Sequence, residues 1–515
     1  MKFTLQFSRY LLLTATCFIG LLSRGQSSRP NIIFIFSDDH AYQAISAYGS
    51  KLAITPNIDR IAKEGAIFTS AMVTNSICGP SRATLLTGKY SHINGYTLNE
   101  KKFNTGQQVF PRLLQQNGYQ TAWIGKWHLG NLPEGFDHYQ ILNSQGQYYN
   151  PQFISPNHDT TIYHGYVTNL ITQFTEEWLN KRDTSKPFFL VVGEKATHRE
   201  WLPDIQDLGT YDDKTFPLPP TFHDDYKNRA AAANQDMTID KTMRLKEDLK
   251  VHADYVKSGI YNRFTEDQKK PFYDYYENKV SKAFDEKHLT GEALVEWKYQ
   301  RYLKDYLATA KSLDRNIGEI LDYLDKTGLS KNTVVIYASD QGFYMGEHGW
   351  FDKRFMYEES LRTPFVMRYP GVIKPGSTIS QMTLNIDWAP TLLNIAQVNI
   401  PQDIQGTSFV PLLKGDKNVP WRKEMYYHYY EFPEPHHVYP HFGIRSERYK
   451  LVRFYDAGNA WELYDLKKDP HEVSNIYGSK GTEKITAALK SSLKKLMIEY
   501  KDEDALKILE KEEAK

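Results

Sequence analysis

Cys78 opens a segment, Cys78–Gly88, whose residue types are suited to chemistry on an anion. Pro80 favours the first turn of a helix and Gly88 favours its end, so the segment predicts a turn followed by a short helix. Cys78 would then stand at the helix N-terminus, where unpaired backbone N–H groups and the helix dipole favour negative charge. A lone cysteine is more often a small buried thiol, so Cys78 is a candidate site residue only because of its neighbours.

The order Cys78, Pro80, Ser81, Arg82, followed by Leu86–Lys89, resembles the signature of type I sulfatases. These enzymes are calcium-dependent sulfate ester hydrolases of the alkaline-phosphatase superfamily. The resemblance implies that a formylglycine-generating, sulfatase-maturing enzyme oxidises Cys78 to formylglycine (3-oxoalanine). The hydrated aldehyde would supply a nucleophilic oxygen, so that Cys78 is the precursor of the nucleophile.

Polar residues follow four predicted strands, at the point where each strand ends. The strands are the apolar runs Asn31–Phe36, Thr121–Ile124, Phe188–Val192 and Thr333–Tyr337. Such runs are typical of strands buried on both faces of a parallel sheet. Helical patterns lie between them, at Pro56–Glu64, Val109–Asn117, Val167–Lys181 and along a stripe from Tyr299 to Leu324. We therefore expect an α/β fold, a large mostly parallel mixed sheet sandwiched by helices and alkaline-phosphatase-like, with the polar clusters meeting beyond the strand ends.

Asp38 and Asp39 follow the first of these strands, and Asp340 and Gln341 follow the last. Carboxylate and amide oxygens are hard donors, which favour calcium, or less well magnesium, over zinc. A single aspartate at a strand end is more often a cap or turn residue, but a pair and a third at equivalent strand ends favour a metal site. The resemblance implies that these four residues bind calcium and that the formylglycine oxygen at position 78, or bound sulfate, completes the shell. Gln341 departs from the family, which has an asparagine there.

A sulfate monoester needs a site that holds its peripheral oxygens and protonates a poor leaving group. The resemblance implies that Lys126 and Lys353 hold sulfate oxygens and that Arg82 steadies the hydrated aldehyde and the metal cluster. It also implies that His198 is the general acid and that His128, beside the formylglycine, later takes a proton from the remaining hydroxyl. Without the resemblance, a lone lysine or histidine in a loop is more often solvated surface.

The segments Lys195–Trp201 and His436–Arg445 resemble bacterial N-acetylglucosamine-6-sulfatases. Such enzymes remove 6-O-sulfate from terminal glucosamine residues of heparan, keratan or mucin glycans, so the expected substrate is a sulfated glycan. The predicted glycan contacts are Arg199, Trp201, His437 and His441. Loop packing and surface charge explain these four residues equally well.

The overall charge argues against several classes of partner. Lys and Arg total 63 against 62 Asp and Glu, a net charge of +1, which gives no broad basic surface for nucleic acid or a membrane.

Residues 1–25 carry Lys2 and Arg9 before a short apolar stretch, which predicts a signal peptide and an exported protein, periplasmic or extracellular. A membrane anchor is the alternative, but the stretch is short and interrupted, so we expect no stable membrane insertion. Cys78 is then the only cysteine of the mature chain.

The length of 515 residues predicts one large domain and a smaller one. We expect a catalytic domain over residues 26–400, with a helical insertion at about residues 199–290, and a C-terminal subdomain over residues 401–515. The short aromatic runs Met425–Tyr430, His441–Arg445 and Tyr449–Phe454 predict a small antiparallel sheet there, capped by a charged helix from about Glu483 to Glu513.

Three alternative functions stay open from the sequence. The first is a sulfatase for another sugar position, such as 2-O or 4-O. The second is a phosphoester hydrolase on the same fold, but its two-metal site would need additional His and Asp ligands that are not obvious here. The third is a catalytically dead glycan-binding protein, which the intact Cys78, Lys126, His128 and Asp340 argue against.

Overall fold

The structure is a computed structural model that describes residues 29–99, 101–256, 259–416, 418–456 and 458–513. The predicted signal peptide, residues 1–25, lies outside these ranges. Within them, none of the helices combines the length and the apolar character needed to traverse a bilayer.

One large mixed sheet forms the centre of the molecule. The strands, in chain order, are β1 Asn31–Ser37, β2 Ala66–Phe68, β3 Ala71–Met72, β4 Gln120–Gly125, β5 His138–Leu142, β6 Gln152–Ile154, β7 Thr160–Ile162, β8 Phe188–Gly193, β9 Thr333–Ser339, β10 Phe365–Arg368, β11 Ser377–Ile379, β12 Thr383–Leu384, β13 Glu424–Tyr429, β14 His441–Ser446, β15 Tyr449–Phe454 and β16 Ala460–Asp465. Ten of these strands form the sheet in the order β11-β2-β10-β9-β1-β8-β4-β5-β6-β7. Its central run, β9-β1-β8-β4-β5, is parallel, and Phe34 of β1 lies opposite Val191 and Ile336. The predicted mostly parallel mixed sheet is confirmed.

Helices cover both faces of this sheet. The α-helices of the described residues, in chain order, are α1 Pro56–Glu64, α2 Cys78–Thr87, α3 Ser91–Asn94, α4 Phe110–Gln116, α5 Val167–Lys181, α6 Ala230–Asn234, α7 Glu266–Phe272, α8 Lys282–Asp285, α9 Gly291–Lys326, α10 Glu358–Leu361, α11 Trp388–Ile395, α12 Val410–Leu413, α13 Glu483–Tyr500 and α14 Glu503–Glu513. Phe34 of β1 packs in one hydrophobic cluster with residues of α4 and α11, and Ile33 packs in another with residues of α1, α5 and α9. Successive residues of a strand point to opposite faces, so β1 is buried on both sides.

The C-terminal strands form a second, antiparallel sheet in the order β13-β14-β15-β16. The helix predicted over Glu483–Glu513 is two helices, because Lys501 adopts a left-handed conformation (φ 60°) that ends α13. One hydrophobic cluster joins this sheet and both helices to Trp350, Phe355 and Tyr357 of the preceding region. The domain boundary at residue 400 stays a prediction, since the two parts share apolar packing.

The segment predicted as a helical insertion, about residues 199–290, is helical only in part. Turns dominate its first half, and the helices are α6, α7, a π-helical stretch Tyr273–Ser281 and α8. Pro217, Pro219 and Pro220 remove backbone donors, which prevents a continuous helix there. Tertiary contacts hold the chain instead: the buried Lys250 ammonium donates to the carbonyl of Glu200 at 2.7 Å.

Candidate active site

The carboxyl ends of β1, β4, β8 and β9 meet at one edge of the sheet. They bring together Asp38–Asp39, Lys126, His198 and Asp340. The Asp38 backbone N–H donates to the carbonyl of Ala196 at 3.1 Å, which ties the end of β1 to the chain beyond β8. Parallel neighbours necessarily end at the same edge, and this brings residues far apart in the chain within bonding distance.

Cys78 is the first residue of α2, and its side chain is buried. The thiol lies 3.2 Å from Asp38 Oδ1, where the resemblance places the formylglycine oxygen. Position 79, next to Cys78, has room only for a glycine, because a Cβ there would come within 2.5 Å of the Tyr96 ring. Burial raises the pKa of the Cys78 thiol well above its usual value, and the Asp38 charge adds to this. The unmodified thiol therefore stays protonated and is a poor nucleophile.

Two lysines neutralise the adjacent aspartates. The Lys126 ammonium contacts Asp38 Oδ2, and the Lys353 ammonium lies 2.7 Å from Asp39 Oδ2. All four side chains are buried. The two cations predicted to hold sulfate oxygens therefore lie on the same cluster of carboxylates as Cys78.

Arg82 of α2 neutralises the third carboxylate. Its Nε and Nη2 atoms donate to Asp340 Oδ2 at 3.2 and 3.0 Å, and its Nη1 atom donates to the carbonyl of Lys126 at 3.0 Å. The guanidinium also stacks over the Phe36 ring, 4.8 Å from its centroid. Because α2, β9 and the end of β4 all meet at this one side chain, Arg82 fixes the position of Cys78 relative to the strand ends.

The carboxyl groups are suited to a divalent cation. Burial raises the pKa of Asp39 to about 6, although Lys353 opposes it, and burial together with the Asp38 charge raises the pKa of Asp340 to about 8. Burial would also raise the pKa of Asp38, but Lys126 and the other cations around it hold that pKa well below its usual range. A hard cation bound among these buried carboxyls would favour their ionised form and so oppose the effect of burial.

The side-chain amide of Gln341 lies in the same cluster. Its Nε2 atom donates to Asp39 Oδ1 at 2.5 Å and approaches Cys78 Sγ at 3.7 Å. Its Oε1 atom is buried and has no hydrogen-bond partner among the described residues. A free amide oxygen beside three carboxylates is a hard donor of the kind calcium takes, so the donor set fits the ion that the resemblance implies.

The surroundings of the two candidate catalytic histidines favour the neutral imidazole. Burial lowers the pKa of His128 and of His198 well below the usual value, and the Lys126 charge adds to this. His198 Nδ1 lies 2.6 Å from the carbonyl of Arg199, and a ligand atom of His198 falls within 4.8 Å of those of Asp38, Asp39 and Cys78. Since a carbonyl only accepts, Nδ1 of His198 carries the proton and Nε2 is left for chemistry.

The structure overturns two of the predicted glycan contacts. Trp201 is 0% exposed and packs against the rings of Tyr302 and Phe351, and His441 is also fully buried, with Nδ1 2.8 Å from the carbonyl of Tyr439. Both predictions are wrong, because tertiary packing covers these rings and leaves no face for a sugar.

The other two predicted glycan contacts stay predictions. Arg199 is partly exposed but makes a two-point ion pair with Asp248, at 2.8 and 2.7 Å. His437 is partly exposed, and its ring centroid lies 5.0 Å from that of Phe432.

Gln145 is a site residue that the sequence analysis misses. Its amide lies between Lys126 Nζ (2.5 Å from Oε1) and His128 Nε2 (2.9 Å from Nε2). The criterion applied to the other strands, a polar residue just after the end of a parallel strand, also identifies Gln145, because Gln145 follows β5 and β5 is parallel to β4. That strand is harder to recognise, because its sequence, His138–Leu142, alternates polar and apolar residues.

A second set of residues, also not identified by the sequence analysis, supports the loop that carries Lys353. Asp352 Oδ1 accepts from the Lys353 backbone N–H at 2.8 Å, and Asp352 also contacts Arg354 (3.2 Å) and His436 (3.3 Å). Arg354 in turn pairs with Glu431. These four charged or polar side chains are buried, so the Lys353 loop is held from both sides.

Comparisons with known proteins show the family of this chain. The family model described as Sulfatase matches residues 30–398, and the model described as N-sulphoglucosamine sulphohydrolase, C-terminal, matches residues 346–499. The chain belongs to the sulfatase family, with the alkaline-phosphatase-like fold, and is a sulfuric ester hydrolase.

The chain is also similar to sulfatases whose substrates are named. It is 46% identical to an N-acetylglucosamine-6-O-sulfatase of Bacteroides thetaiotaomicron over 493 residues, 93% of this chain and 88% of the relative. It is 25% identical to an N-acetylglucosamine-6-sulfatase of Capra hircus, covering 87% and 80% of the two chains. A solved structure in complex with its substrate D-glucosamine-2-N,6-O-disulfate superposes with a TM-score of 0.90 at 46% identity, covering 93% of this chain and 99% of the other.

The burial of Trp201 gives a test of its role. Trp201→Ala is expected to lower the free energy of unfolding by about 3–5 kcal/mol, because it leaves a large cavity in a packed core. Chemical denaturation followed by fluorescence measures the change. The matched control is Phe432→Ala, at a side chain that is 37% exposed and is expected to lose much less stability. A Trp201→Ala protein of unchanged stability with a raised KM for substrate would restore the glycan-contact role.

Proposed function

We propose that this protein hydrolyses the 6-O-sulfate of terminal N-acetylglucosamine residues in glycans such as heparan sulfate, keratan sulfate or mucin-type chains. The observation that carries the sulfatase chemistry is Cys78 at the start of α2, 3.2 Å from Asp38 in a carboxylate cluster lined by Lys126 and Lys353. Support for the sugar comes from the Bacteroides relative and from the glucosamine disulfate bound in the similar solved structure.

We infer that the working site contains calcium and formylglycine at position 78. When present, the ion supplies positive charge to the carboxylates and sulfate, and the modified residue supplies a hydroxyl nucleophile on a carbon from which sulfate can later be eliminated. Asp38, Asp39, Asp340 and Gln341 would hold the ion. Arg82 orients Asp340 by donating two hydrogen bonds to its Oδ2 atom.

The lysines and histidines of this chain perform the remaining steps. Lys126 and Lys353 exchange their contacts with Asp38 and Asp39 for the peripheral oxygens of the sulfate ester. The negative charge of the bound ester opposes the burial that lowers the pKa of His198, so that His198 takes up a second proton on Nε2 and donates it to the leaving oxygen as the general acid. His128 takes a proton in the release of sulfate.

We also propose that the protein is exported to the periplasm or the cell exterior and that a sulfatase-maturing enzyme acts on it. The charged and apolar pattern of residues 1–25 supports export. The maturing enzyme follows from the proposed conversion of Cys78, because a buried thiol of raised pKa does not supply the chemistry by itself.

The substrate proposal is tested by desulfation of 2-O-, 3-O-, 4-O- and 6-O-sulfated monosaccharides, with released sulfate measured by ion chromatography. The expected result is turnover of 6-O-sulfated N-acetylglucosamine well above the other isomers. Turnover of another isomer alone would replace this substrate with a different sulfated sugar. Hydrolysis of a phosphate ester with no sulfate release from any isomer would favour a phosphoesterase.

The nucleophile is tested by mass spectrometry and by substitution. The peptide containing Cys78 is expected to have a lower mass than the thiol form, because an aldehyde replaces the thiol. Cys78→Ala, or expression in a host without the maturing enzyme, is expected to abolish turnover while the protein remains folded. Full activity in either preparation would refute the proposed nucleophile.

The metal is tested by chelation. Removing divalent ions is expected to abolish turnover, and calcium is expected to restore it better than magnesium. Asp39→Asn is expected to raise the calcium concentration needed for half-maximal activity, because it removes a charged ligand. The matched control is Asp322→Asn, whose side chain is 75% exposed on α9, and it is expected to leave this concentration unchanged. An equal response of both variants would remove Asp39 from the ligand set.

A further inference from the structure

Gln145 connects two of the proposed catalytic residues through a single amide. Its Oε1 atom lies 2.5 Å from Lys126 Nζ, and its Nε2 atom lies 2.9 Å from His128 Nε2. The turn that carries it is held as well, because Lys195 Nζ donates to the Gln145 carbonyl at 3.4 Å. The amide is therefore placed by contacts on several sides.

The donors and acceptors around this amide allow only one orientation. A lysine ammonium has three donors and no acceptor, so the amide oxygen must face Lys126. The amide NH₂ group must then face His128 and donate to Nε2. A ring nitrogen that accepts a hydrogen bond carries no proton, so the neutral imidazole of His128 carries its proton on Nδ1.

The other ring nitrogen of His128, Nδ1, is without such a contact in the described part of the chain. Nδ1 is buried and makes no hydrogen bond to any of the residues that the structure describes. A buried N–H group without a partner is costly, so this donor is available to a group that the site acquires, either the modified residue or the substrate. The same ring cannot accept at Nδ1 while Gln145 donates to Nε2.

We propose that Gln145 is a positioning residue that, in the resting site, holds His128 in its Nδ1-protonated form and holds Lys126 beside it. This inference rests on the proposed function of the site and adds a residue to it. In the resting site His128 is a hydrogen-bond donor through Nδ1. The proton transfer proposed for His128 in sulfate release needs an accepting Nδ1, so that step requires the other tautomer, in which Gln145 presents its oxygen, in place of its NH₂ group, to a protonated Nε2.

The direct test determines which nitrogen of His128 carries the proton. The matured protein, labelled with ¹⁵N-histidine, is studied by NMR, and the His128 signals are assigned with a His128→Asn variant. The wild-type protein is expected to carry the proton on Nδ1. Gln145→Glu replaces the donor with a group that only accepts, so its His128 is expected to carry a proton on Nε2. A wild-type protein with the proton on Nε2, or a Gln145→Glu protein with an unchanged tautomer, would overturn the proposal.

Steady-state kinetics provide the second readout. Gln145→Met keeps the side-chain length but removes both hydrogen bonds, and it is expected to lower kcat by about ten- to a hundredfold, as the loss of an orienting partner commonly does. It is also expected to change the pH profile of kcat. The matched control is Gln147→Met, two residues along the same turn, where Oε1 accepts from Arg263 at 2.9 Å. Equal losses with unchanged pH profiles in both variants would show that Gln145 only supports the loop.

These measurements separate the two proposals. The tautomer of His128 is observed without turnover, so it remains informative if the substrate or the nucleophile has been assigned wrongly. A wild-type protein that is inactive on every sulfated sugar would count against the proposed function, whereas an active protein with the wrong tautomer would count against the role of Gln145 alone.

Discussion

The structure depends on placing three buried carboxylates, Asp38, Asp39 and Asp340, around one residue of a helix N-terminus. Removing such charges from water is costly unless opposite charges and hydrogen bonds compensate. Lys126, Lys353 and Arg82 supply that compensation, one cation on each carboxylate. The raised pKa values of Asp39 and Asp340 show that it is incomplete. These features underlie the proposal that the site binds a divalent cation and that Lys126 and Lys353 contact an anionic substrate.

The parallel centre of the sheet makes this arrangement possible. Apolar clusters cover both faces of its strands, so the charged side chains lie at the edge where the strands end. Helix α2 enters from the side, and Arg82 joins it to the strand ends. The thiol of Cys78 is consequently held in a position where, unmodified, it is chemically quiet, which is consistent with a residue that requires conversion before it acts.

Loops beyond the strands hold several of the proposed catalytic side chains in place. Lys353 belongs to a loop that Asp352, Arg354 and His436 hold rigidly, and the turn carrying Gln145 lies against Lys126 and His128. Rigid loops on a rigid sheet keep the charged groups in place before substrate arrives, which is the condition for effective electrostatic stabilisation. Differences in such loops allow one fold to serve several sulfated sugars.

Much of this protein follows from its sequence alone. The bounds of α1 and α5, the four buried strands and the convergence of Asp38, Asp39, Lys126 and Asp340 were predictable, because periodicity and residue type act locally and parallel strands end at one edge. Cys78 was assigned to the site through the resemblance of its segment to the sulfatase signature. Tertiary structure decided the rest. The burial of Trp201 and His441, the break at Lys501 and the bridge made by Gln145 depend on side chains distant in sequence, whose packing and hydrogen bonds no local pattern encodes.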